Sequence, residues 1–140
     1  MFNPSRDQVR QFFFDAWRKY RSGAALEGLE SIAVQVALLH GEYHAVLDNP
    51  ERYLDRDYTP EHGEANPFLH MSMHVALEEQ LSIDQPPGIR SEFDRIVARE
   101  GDRHEALHAL LDCLGEVIWQ AQRNNSALDA DAYLECIRAK

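Results

Sequence analysis

Apolar residues recur at steps of three and four along almost the whole chain, and no stretch alternates strictly between apolar and polar positions. The first pattern lays a stripe along one face of an α-helix, whereas a half-buried strand needs the second, so an all-α fold is expected. Ser5 and Gln8 have capping-box spacing, and Val9, Phe12, Phe13, Ala16, Trp17 and Tyr20 then share one face, which predicts a first helix over 5–21 that closes near Gly23. A second helix is predicted over 26–47, burying Leu29, Ile32, Val36, Leu39, Tyr43 and Leu47 and stopped by Asn49-Pro50. Asn66 reads as an N-cap with Pro67 at the first helical position, opening a third helix that lasts to about 83. A short helix is expected over 89–100, bounded by Pro86-Pro87-Gly88 and Gly101. Asp102 and Glu105 repeat the capping-box spacing ahead of a helix running to about 123, and Asp129 caps a last one carrying Tyr133, Leu134 and Ile137. The expected architecture is a single helical domain over 1–140, an up-down bundle of four core helices with one or two additional short ones. A loop over 48–65 is long for a compact domain, and loops of that length are commonly functional.

Charge narrows the partners. The 140 residues carry 14 Lys and Arg against 24 Asp and Glu, a net charge of −10 that repels phosphate backbones and anionic lipid surfaces. Nucleic acid and membrane are therefore not expected as partners; an unknown small molecule or protein is. The apolar run from Ile32 to Leu39 is far too short to cross a bilayer. MFNPSRDQ lacks the basic stretch and apolar core of a signal peptide, so a cytoplasmic location is expected. Cys113 and Cys136 fall within helical apolar patterns and form no C-x-x-C, which reads as two reduced, half-buried thiols. Phe12-Phe13-Phe14 and Trp17 form core with some spill onto the surface, a candidate homodimer face.

Histidine placement is the feature with chemical content. Six of the seven His form three pairs spaced by four: His40/His44, His70/His74 and His104/His108. Random placement would give roughly 0.3 such pairs. On a helix, residues i and i+4 stand on one face with Cβ atoms about 6 Å apart, so both imidazoles can reach one ion. Counting rise along antiparallel helices puts all three pairs at one level, and each lies at the margin of its helix's apolar arc. Buried imidazoles need partners, and a metal ion supplies one to each. Glu78 and Asp112 continue two of these stripes by one further turn, as additional ligands or as proton acceptors beside the ion. Glu42 points away from His40, and Tyr58, His62 and Glu64 of the loop are candidate lid residues or outer contacts. An imidazole-rich set favours zinc, iron, nickel or copper over magnesium or calcium, and one or two ions of iron, zinc or manganese are the expected cofactor. Di-metal carboxylate bundles need E-x-x-H on two helices, and Glu105/His108 is the one such motif in the stripes.

The segments NPFLHMSMHVALEEQLSIDQPPGIR, HGEYH and HEALHALLDCLGEVIWQAQR resemble the bacterial domain-of-unknown-function 1841 family over almost the whole chain. The resemblance implies a short cytosolic bacterial protein and assigns no activity. Gly41 stands where the family's HPEYH form has proline, a departure that keeps both histidines. The residues thus point to a helical metal protein, with hydrolytic or oxygen and redox chemistry both open. The competing readings are a metal-free interaction module with a pH-responsive histidine layer, and a structural metal without catalysis.

Overall fold

The computed structural model describes residues 5–56, 58 and 66–140. Among them lie eight α-helices, one 3₁₀ turn and no strand, so the protein is all-α. The chain divides into two compact units, Met1–Val75 and Ala76–Lys140, with the boundary inside one helix.

In the first unit, α1 spans Arg6–Ser22 and begins with the expected capping box: the Ser5 hydroxyl accepts from the Gln8 amide and the Gln8 side chain accepts from the Ser5 amide. Gly23 ends it at φ 76, a left-handed conformation that a residue without Cβ adopts at little cost. Helix α2 spans Gly28–Leu38, and Ala33, Val34, Val36 and Ala37 meet Phe13, Phe14, Ala16 and Trp17 of α1 in one core. The helix predicted over 26–47 is interrupted. After Leu38 the backbone breaks at His40 (φ −124, ψ 71), forms a 3₁₀ turn over Gly41–Tyr43, and resumes as the four-residue α3, His44–Leu47. Leu39, expected in the core, lies past the end of α2 and is exposed, as is Leu29. Pro50–Tyr53 forms α4, a short helix within the described part of the expected 48–65 loop. The guanidinium of Arg10, buried in the apolar face of α1, donates to the carbonyls of Tyr53, Leu54 and Arg56 at 3.2, 2.9 and 2.6 Å. A cation placed on these terminal carbonyls satisfies acceptors that α4 itself leaves open. Asn66 caps α5, Pro67–Ile83, by accepting from the Phe68 and Leu69 amides, and Phe68, Met71 and Val75 complete this core.

The second unit holds the C-terminal part of α5, α6 (Ile89–Glu100), α7 (Arg103–Arg123) and α8 (Ala130–Arg138). Asp102 caps α7 through the His104 amide, and Asp129 caps α8 through that of Ala132. Ile89, Ile96, Leu107, Leu110 and Ile137 are among its fully buried side chains, with Tyr133, whose hydroxyl donates to Gln80. The two cysteines are not free thiols: Cys113 of α7 and Cys136 of α8 form a disulfide with Cα atoms 5.7 Å apart, a normal separation for one. Both helices turn their cysteine toward the same layer, a long-range coincidence that local spacing does not reveal.

Candidate metal centre

His40, His70 and His74 converge in the first unit. His40 is 3 % exposed and sits in the break after α2, while His70 and His74 stand one turn apart on α5, with His74 fully buried. The His40 Nδ1–H donates to the Val36 carbonyl at 2.7 Å. A carbonyl only accepts, so that contact puts the proton of a neutral His40 on Nδ1 and leaves the Nε2 lone pair directed outward. Nε2 of His40 lies 3.2 Å from Nε2 of His70, which in turn lies 3.2 Å from Nε2 of His74. The rings stand steeply to one another, at 79°, 65° and 74° for the pairs His40–His70, His40–His74 and His70–His74. All three ligand atoms lie within 4.8 Å of one another.

This spacing has a chemical meaning. Nitrogens bound at about 2.0–2.1 Å around a tetrahedral ion sit about 3.3 Å apart. Three imidazole Nε2 atoms gathered this way are spaced to bind a single cation together. The carbonyl contact on His40 Nδ1 is the kind of outer contact that fixes the tautomer of a ligating imidazole.

The other expected residues are placed as follows. His44 does not stand above His40 on a shared helical face, because the 3₁₀ turn separates them. Its Nε2–H donates to the Ala37 carbonyl at 2.8 Å and its ring lies 4.7 Å from that of Trp17. In the second unit, His104 and His108 are both half-buried, with rings 4.2 Å apart at 61°. Both Glu78 oxygens accept from the Arg103 guanidinium, at 2.9 and 3.0 Å, a bidentate pair that occupies the carboxylate. Asp112 is 76 % exposed and lies 3.6 Å from Lys140. Glu42 is exposed. Tyr58 is half-buried against the guanidinium groups of Arg10 and Arg56. His62 and Glu64 lie outside the described residues.

Sequence reasoning missed Tyr43 as a neighbour of the cluster. Its ring lies nearly parallel to His40, at 5.4 Å and 9°, and burial followed by the charge of Glu42 raises its phenol above the ordinary range. The H-x-x-Y spacing of His40 and Tyr43 is the signal that could have pointed to it.

No curated protein and no solved structure matches the chain. The motifs that resembled a known family do identify it: a family model described as domain of unknown function (DUF1841) matches residues 5–139, and the chain belongs to that family.

Proposed function

We propose that this chain is a transition-metal-binding helical protein in which His40, His70 and His74 hold one ion through their Nε2 atoms. The observation that carries the reading is the pair of 3.2 Å Nε2–Nε2 separations, close to the ligand spacing of a four-coordinate ion. Three imidazole nitrogens, one of them with its ring oriented by a backbone carbonyl, suit zinc or another first-row divalent ion and suit magnesium or calcium poorly.

Elemental analysis of untagged protein by inductively coupled plasma mass spectrometry tests this. About one equivalent of zinc, iron or manganese is expected in the wild type, with a stoichiometric loss in His70→Ala and in His74→Ala at retained helicity. Unchanged metal content in these variants would sink the reading. So would the lack of bound metal after reconstitution, leaving the histidines as a polar interface for a partner.

A further inference from the structure

The apolar stripe of α2 carries on through Tyr43, but the backbone there tightens into the 3₁₀ turn over Gly41–Tyr43, and the Tyr43 amide donates to the His40 carbonyl at 2.9 Å. Side chains at i and i+3 eclipse in a 3₁₀ turn, whereas an α-helix leaves them about 60° apart. The break thus brings the side chain of Tyr43 over that of His40. Their rings lie 5.4 Å apart and nearly parallel, at 9°, an offset stack. The same phenol ring meets His70 edge-on, at 6.2 Å and 71°. One half-buried ring therefore touches a proposed ligand from the turn after α2 and another from α5, and it packs on the core of the first unit, which limits its own freedom.

This stack responds to metal. An imidazole that gives its Nε2 lone pair to a cation becomes electron-poor, and the negative face of an aromatic ring attracts it more strongly than it attracts a neutral imidazole. A contact that is stronger with the ion bound than without it raises affinity by the difference. The Val36 carbonyl already holds His40 in the plane of its ring, through Nδ1, and Tyr43 adds a contact on the ring face. We infer that Tyr43 is a positioning residue of the proposed centre, which donates no ligand atom and strengthens metal binding by holding His40 face-on and His70 edge-on. The inference rests on the three-histidine reading and gives the 3₁₀ turn a role in the site.

The test is titration of the full chain with cobalt(II), read by its visible ligand-field absorption, in the wild type, Tyr43→Leu and Tyr43→Phe. Tyr43→Leu should bind cobalt at least about tenfold more weakly, the usual cost of losing a contact that orients a metal ligand, and should shift the ligand-field bands. Tyr43→Phe keeps the ring and should return the affinity to within about threefold of the wild type, with wild-type bands. A ring that only fills space would lower the melting temperature of metal-free Tyr43→Leu and leave the affinity and bands of the folded chain unchanged. That result overturns the inference, as does binding by Tyr43→Phe as weak as that of Tyr43→Leu. If leucine reduces the far-UV circular dichroism, Tyr43→Met, whose flexible side chain fills irregular gaps, takes its place with the same expected outcomes. A wild-type chain that takes up no cobalt removes the centre itself, whereas wild-type binding matched by Tyr43→Leu keeps the centre and removes Tyr43 from it.

Discussion

A histidine pair spaced by four promises two ligands only where the helix is continuous, and His40 and His44 show what happens when it is not. His40 donates from Nδ1 and presents Nε2 to His70, whereas His44 donates from Nε2 to Ala37 and packs at a tilt against Trp17. The two residues are therefore expected to behave differently on substitution. His40→Ala should lose the ion. His44→Ala should keep it, and should lower stability by about 1–3 kcal/mol through the lost hydrogen bond and the space left beside Trp17. Metal content and urea unfolding of the two variants check this, and loss of metal from His44→Ala would contradict the placement. At this scale the sequence revealed the residue type and part of the set. His40, His70 and His74 were legible from spacing and inward direction. The engagement of Glu78 by Arg103 was not, because the partner lies 25 residues away and no periodicity couples the two.

At the scale of elements, caps were the most legible feature and breaks the least. Ser5, Asn66 and Asp129 accept the expected amides because a cap is decided within three residues. The end of α2 was missed because the apolar stripe continues across it: Tyr43 and Leu47 keep helical spacing, while the backbone turns at His40 and tightens into a 3₁₀ turn. Gly41 opens that turn, and a Cβ added there meets nothing within 4 Å. It occupies the first position after the His40 cap, where an amide has no intrahelical acceptor, so that a proline there removes no helical hydrogen bond. Gly41→Pro is accordingly expected to stabilise the protein by about 0.4–1 kcal/mol, mainly by restricting the unfolded chain, and to leave metal content unchanged. A thermal melt with parallel elemental analysis checks both parts; destabilisation by the proline would mean that the turn needs the freedom of glycine. The Cys113–Cys136 disulfide belongs to the illegible class, since its pairing depends on how α7 and α8 pack and not on the 23-residue separation.

At the scale of the whole molecule, an ion held by residues far apart in sequence acts as a cross-link that the folded chain gains and the unfolded chain lacks. His40 and His74 are separated by a stretch that includes the 3₁₀ turn, α3 and α4, short elements with little helical stability of their own. Binding at 100 times the dissociation constant adds about 2.7 kcal/mol to the state that binds. That gain should appear as slower amide exchange in α2, the 3₁₀ turn and the first turns of α5. Hydrogen exchange with and without one equivalent of zinc checks this. Protection of α2, the 3₁₀ turn and the first turns of α5 that is lost in His70→Ala is the expected pattern, whereas indifference of these segments to zinc would remove the centre itself. Whether that ion is structural then follows from magnitude: a structural ion predicts a large drop in melting temperature on chelation, because the free energy of binding is then free energy of folding.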